Sequence, residues 1–140
     1  MESVARWSDG LKFEGTFSTG HAIVMDTSVE QGGTDEGPRP VELLLMSLAG
    51  CTGMDVLAIL KKKRQKVSGL SIHVKGERRE DPPKVFDRLH VVYKVTGEGI
   101  DANAVRQAIV LSQEKYCSIS AMLKKAASLT SEVRIVEEKS

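Results

Sequence analysis

The alternation of apolar and polar positions divides the chain into two kinds of segment. Residues 3 to 26 alternate loosely between the two, as VARW, LKFEGTFS and AIVMD, and turns at Ser8-Asp9-Gly10 and Thr19-Gly20 separate them. An Asp-Gly pair between short alternating runs predicts hairpins. The stretch TSVEQGGTDEGPRP, from Thr27 to Pro40, is rich in Gly, Pro and acidic residues and predicts a loop. A long helix is expected from Val41 to about Arg64, because Pro40 suits a first helical turn and no proline interrupts the run. Apolar residues cover nearly its whole circumference through Leu60, so the helix should be buried on most faces. Glu42, Ser47, Thr52 and Asp55 break the apolar run, which favours a core helix over a membrane span. Lys61, Lys62, Lys63 and Arg64 then complement the negative end of its dipole.

Period-two alternation returns in GLSIHVKGERRE and RLHVVYKVTG, two strands expected to pair as an antiparallel hairpin around the Asp81-Pro82-Pro83 break. Asp101 should cap a helix running to about Glu114, with Val105, Ala108, Ile109 and Leu111 as its apolar stripe. A shorter helix, ISAMLKKAAS, and a last strand, SEVRIVE, complete the chain. The order βββ-α-ββ-αα-β describes an α+β fold. At 140 residues it fits one domain, residues 1–140.

Composition removes several functions. Twenty basic against nineteen acidic residues leave a net charge of +1, too little to hold a nucleic acid backbone or an anionic membrane. The opening MESVARWSDG lacks a basic stretch leading into an apolar run, so no signal peptide is expected and the chain should be cytoplasmic. In a reducing compartment its two cysteines, Cys51 and Cys117, are more often free or catalytic than a structural bridge. No two residues among them and His21, His73 and His90 stand at a chelating spacing, so no metal and no bound cofactor are expected.

Cys51 lies mid-helix, and Leu44, Ser47, Leu48, Met54, Asp55 and Ala58 share its face. The helix dipole is too distant to help it, and an ionised Asp55 one turn away would raise its thiol pKa. Cys117 precedes a short helix with Ser118 and Ser120 as expected caps, where backbone N–H groups should favour a thiolate. Local physics therefore ranks Cys117 as the more reactive thiol. The plain alternative is that both are small buried hydrophobes.

The segment PVELLLMSLAGCTGMDV, Pro40 to Val56, resembles the central-helix motif of the OsmC/Ohr family, and EKYCSIS, Glu114 to Ser120, resembles its second cysteine motif. The two cysteines are 66 positions apart (117 − 51), the family's approximate spacing. The stretches STGH, ERRE and SQEKYC are most similar to the YhfA-like branch of that family. This resemblance implies antiparallel sheets around a long buried central helix in an intertwined homodimer. It also implies thiol peroxidase chemistry on organic hydroperoxides in oxidative stress defence. Cys51 would be the attacking thiol and Cys117 the resolving one, with an external dithiol, such as dihydrolipoamide, as reductant. Leu48, Met54 and Tyr116 would line the substrate site.

Two departures stand out. Where the family has a catalytic Glu after the motif's Pro this chain has Val41, and nine residues at about 100° put Glu42 on the far side of the helix from Cys51. Where the family has an activating Arg this chain has Ser8, which leaves Arg6, Arg39, Arg78 and Arg79 as replacements; Arg78 and Arg79, beside the Pro82-Pro83 bend, are favoured. These departures keep open a second reading, a small-molecule binding module without peroxidase activity that holds a lipophilic molecule. A third is a purely structural dimer.

Overall fold

A computed structural model describes residues 1–139 and places them in two compact units, Met1–Leu44 and the described residues from Leu45 onward. In the first, strands β1 (Ser3–Asp9), β2 (Lys12–Phe17) and β3 (Ala22–Met25) form an antiparallel meander. Both turns fall where the sequence puts them. Gly10 takes φ +53° at the first and Gly20 φ +89° at the second, a region glycine enters without a Cβ clash. Trp7 Nε1 donates to the Gly10 carbonyl at 2.8 Å and ties the first turn to its own strand.

The loop after β3 is wound around one carboxylate. Asp26 accepts from the Thr27 and Thr34 amides at 2.7 and 3.3 Å, the Thr34 hydroxyl at 2.8 Å and the Glu36 amide at 3.1 Å. The side-chain bond from Thr34 is the largest cause, and with the backbone donors it holds the Asp26 carboxyl down to about 2. A Cβ on Gly33 would meet the Thr27 carbonyl oxygen at 2.2 Å, so only glycine lets the loop close on Asp26. Helix α1 (Pro40–Lys62) follows, and Glu42 accepts from the Arg39 amide at 2.9 Å, the backward half of a capping box. Glu42 is thus occupied in starting the helix.

In the second unit, β4 (Lys66–Arg78) and β5 (Phe86–Glu98) pair antiparallel as expected. Strand β6 (Ser128–Glu137) then pairs with β5 in parallel, which makes this sheet mixed. The parallel return needs the crossover supplied by α2 (Ala102–Leu111) and α3 (Ser118–Leu123). Asp101 caps α2, accepting from the Asn103 amide at 2.9 Å. That helix ends at Leu111, short of Glu114, because Ser112–Tyr116 widens into a π turn.

Central strand β5 gives the core Leu89, Val91, Tyr93 and Val95, every second residue. Against them pack Leu48, Val56 and Leu60 of α1, and Ala104, Val105, Ala108 and Ile109 of α2. A Cβ on Gly53 would come within 3.2 Å of Ile72, so the small residue allows α1 to lie close on β4. The expectation that α1 is buried on most faces is not met within one chain. Only the stripe Leu48, Thr52, Val56 and Leu60 is buried, while Leu44, Met46 and Met54 are exposed by 45, 68 and 76%. By length and a mean hydropathy of 2.0, α1 could also cross a membrane. Its buried stripe instead packs on the sheet, and Thr52 bonds to Tyr93 at 2.8 Å.

Candidate active site

Helix α1 presents Cys51 and, one turn on, Asp55 from one face, as i and i+4 positions must. Cys117 sits where the π turn gives way to α3, its amide donating to the Ser112 carbonyl at 2.7 Å. These elements bring Cys51 Sγ, an Asp55 carboxylate oxygen and Cys117 Sγ within 4.8 Å of one another. Both cysteines are free thiols, Cys51 partly exposed and Cys117 buried. The sequence pairing of the two cysteines is therefore realised in space inside one chain.

The expectation that the Cys117 thiolate is favoured is not met. Cys117 itself, not Ser118 or Ser120, is the N-cap of α3, its sulfur accepting from the Ser120 amide at 3.3 Å. That bond favours the thiolate, but burial outweighs it. With a hydrogen bond to Cys51 acting in the same direction as burial, the Cys117 thiol is pushed up to about 11. At neutral pH Cys117 is a thiol with its proton in place.

Behind the thiols runs a chain of hydroxyls that the sequence did not reveal. Ser112 Oγ donates to Asp55 at 2.9 Å and lies 2.8 Å from Thr52 Oγ1, which lies 2.8 Å from the Tyr93 hydroxyl. Gln113 Nε2 donates to that hydroxyl at 2.8 Å. Counting protons fixes the direction. Ser112 spends its one proton on Asp55 and must accept from Thr52; Thr52 must then accept from Tyr93, and Tyr93 accepts from Gln113. Every donor points toward Asp55. Burial raises the Tyr93 pKa, which keeps its proton on the chain. Among the described residues no buried side-chain polar atom lacks a partner.

Beside Asp55 opens a groove of about 420 Å³, walled by Ala58, Ile59, Leu111 and Tyr116, with Lys62 and Lys63 also lining it. Tyr116, one of the candidate substrate residues, lines this groove and is 54% exposed, with the Lys115 ammonium 5.4 Å from its ring. Met54 is exposed on α1, and Leu48 is enclosed in the core. The candidate arginines are engaged in their own hairpin. Arg78 donates to the Lys84 carbonyl at 2.7 Å and lies 5.9 Å over Phe86, and Arg79 is 3.9 Å from Asp87. Arg39 pairs with Asp35 at 2.5 Å.

Comparison with known proteins places the fold in a family. The family model described as OsmC-like protein matches residues 33–132. Protein YhfA of Escherichia coli K12 is 38% identical over 136 residues, 97% of this chain and 98% of that protein. A crystal structure of a hypothetical protein from Aquifex aeolicus VF5 superposes with a TM-score of 0.86 at 36% identity, covering 99% of this chain and 97% of that one. The fold is also shared with an organic hydroperoxide resistance protein OsmC of Legionella pneumophila, at TM-score 0.68, 16% identity and coverage of 96 and 97%. The chain belongs to the OsmC-like family.

Proposed function

We propose that this protein is a thiol peroxidase that reduces organic hydroperoxides through Cys51 and Cys117. The observation that carries this reading is the pair of free sulfurs within 4.8 Å, one reachable and one buried with its proton. The Cys51 thiolate attacks the terminal oxygen of the hydroperoxide. A sulfur–oxygen bond forms, the O–O bond breaks, sulfur gives up two electrons, and the alkoxide takes a proton to leave as an alcohol. Asp55, close to both sulfurs and held by Ser112, is placed to carry protons in this cycle. Cys117 then attacks the sulfenic sulfur, its proton leaves with the hydroxyl as water, and the sulfurs close to about 2.05 Å. An external dithiol returns two electrons and two protons.

The working unit in this reading is a cytoplasmic homodimer. Leu44, Met46 and Met54 on α1 are apolar and exposed in the single chain, and covering them with a second copy stabilises association by roughly 25 cal/mol per Å². In this reading a second copy also delivers a cation toward Cys51, Arg78 or Arg79 released from its contact with Lys84 or Asp87. Sedimentation at micromolar concentration should give a dimer; a folded monomer there would remove the shared site.

The chemical test is mass spectrometry after addition of an organic hydroperoxide. Wild-type protein should form an intrachain disulfide, and Cys117→Ser should hold sulfenic acid on Cys51. Oxidation found only on Cys117 would overturn the assignment. The second reading, a binding module for a lipophilic molecule, is favoured by Val41 and Ser8 at the family's Glu and Arg positions. It predicts saturable binding in the groove beside Asp55 and no consumption of hydroperoxide.

A further inference from the structure

The expectation that no metal binds rested on cysteine and histidine spacings alone. It left out a carboxylate at the i+4 position from Cys51. We propose that Cys51, Asp55 and Cys117 form a reversible site for a soft divalent cation of the zinc class, which holds both thiols in a form that cannot be oxidised to the disulfide.

Three observations carry this. First, the donor set suits the ion, since two thiolates and one carboxylate are the ligands that borderline-soft cations select over magnesium or calcium. Second, the spacing is nearly right. Bonds of about 2.3 Å to sulfur and about 2.0–2.2 Å to oxygen put these tetrahedral donors roughly 3.5–3.8 Å apart, and here all three lie within 4.8 Å before any ion draws them in. Third, the ligands are oriented from behind. The Ser112 hydroxyl fixes the Asp55 carboxylate at 2.9 Å, and the Ser120 amide points at Cys117 Sγ at 3.3 Å. Metal sites rely on such outer contacts to set ligand orientation.

Three protein ligands leave one position of a tetrahedron for water or a small molecule, and Asp55 also borders the groove of about 420 Å³. Binding changes no oxidation state. Each thiol that enters as thiolate releases its proton to solvent, and two thiolates with one carboxylate set three negative charges against two positive. A thiolate held by the ion is neither free to attack a peroxide nor free to close a disulfide. Metal and disulfide therefore exclude one another, whether or not the protein turns over hydroperoxide.

The test uses the reduced full-length protein, freed of metal and titrated with Co²⁺ and Zn²⁺. Cobalt should give a thiolate-to-metal charge-transfer band and the visible bands of a tetrahedral ion at one equivalent per chain, and zinc should displace it. Asp55→Asn should weaken binding by about tenfold to a hundredfold, and Cys51→Ser or Cys117→Ser should remove the charge-transfer band characteristic of two thiolates. Wild-type protein oxidised to the disulfide should bind no cobalt at this site, a control that needs no variant to fold. Stoichiometric binding that survives oxidation, or that is lost in His73→Gln and His90→Gln instead, would overturn the proposal, as would the absence of a charge-transfer band in reduced protein. A protein that binds cobalt but leaves hydroperoxide untouched would support this site and reject the peroxidase. The reverse result would do the opposite.

Discussion

Asp26 and Asp55 are the same side chain in two surroundings, one in each unit of the chain. Asp26 receives four donors from its own loop, the Thr27, Thr34 and Glu36 amides and the Thr34 hydroxyl. Its lone pairs are spent on holding backbone, and its carboxyl sits at about 2. Asp55 receives the Ser112 hydroxyl, and its carboxylate reaches within 4.8 Å of two sulfurs. A carboxylate saturated by fixed donors builds structure; one left with acceptor capacity beside titratable thiols can move a proton or hold a cation.

The sharpest way to break that contrast is to remove the nucleophile. Cys51→Ser should lower hydroperoxide consumption by at least about a hundredfold, because a serine hydroxyl has neither the thiolate fraction nor the nucleophilicity. Asp26→Asn should leave the rate per folded molecule unchanged. Steady-state consumption with a dithiol reductant checks both. If Asp26→Asn loses activity as Cys51→Ser does, Asp26 is not the purely structural carboxylate of the pair.

Next in size is the inertness of Cys117. Raised from 9.0 to about 11, its thiol should carry roughly a hundredfold less thiolate at pH 7 than an ordinary cysteine. In Cys51→Ser, which also removes the hydrogen bond between the thiols, alkylation of Cys117 should remain slow at neutral pH and climb about tenfold per pH unit toward its midpoint. A midpoint near 8.5 would restore the helix-terminus argument that burial here overrides.

The hydroxyl chain behind Asp55 makes the third test. Thr52 is fully buried and must accept from Tyr93 while donating to Ser112. Thr52→Val keeps the shape but strands a donor on Tyr93 and takes the donor from Ser112, and should cost about 1–3 kcal/mol in chemical unfolding. Tyr93→Phe leaves Thr52 still donating to Ser112 and should cost less in that relay. Equal losses would mean that the chain's direction carries nothing.

How far the sequence could be read follows the range of the forces involved. Pro40 at the start of α1, Asp101 at the cap of α2 and the alternation of Leu89, Val91, Tyr93 and Val95 along β5 are local, and each stands where the pattern placed it. The parallel pairing of β6 depends on a crossover and left no mark on β6 itself. The Cys117 thiol departs from the sequence expectation because a helix terminus is visible in sequence whereas burial by distant residues is not. Thr52, Tyr93, Ser112 and Gln113 come from α1, β5 and the π turn, so no spacing could have joined them. Asp55 carries a legible signal, its i+4 offset from Cys51, which the spacings of cysteine and histidine alone do not contain.

The smallest effect is the acid response of the Asp26 loop, and its sign is fixed. The folded carboxyl titrates at about 2, below the ordinary value of 3.8, because the Thr34 hydroxyl and then three backbone amides favour the charged form. A carboxyl depressed on folding contributes stability that is fully present above its unfolded pKa and is lost as pH falls through the folded one. Loop protection should therefore hold down to about pH 4 and fade between there and pH 2. The amides of Thr27, Thr34 and Glu36 should report it by hydrogen exchange or chemical shift. Asp26→Asn removes the charge but keeps a carbonyl acceptor, so the loop should be looser at neutral pH and lose its added acid response. An unchanged acid limb in the variant would place the titrating group elsewhere. Asp26 would then not be the anchor that its four donors describe.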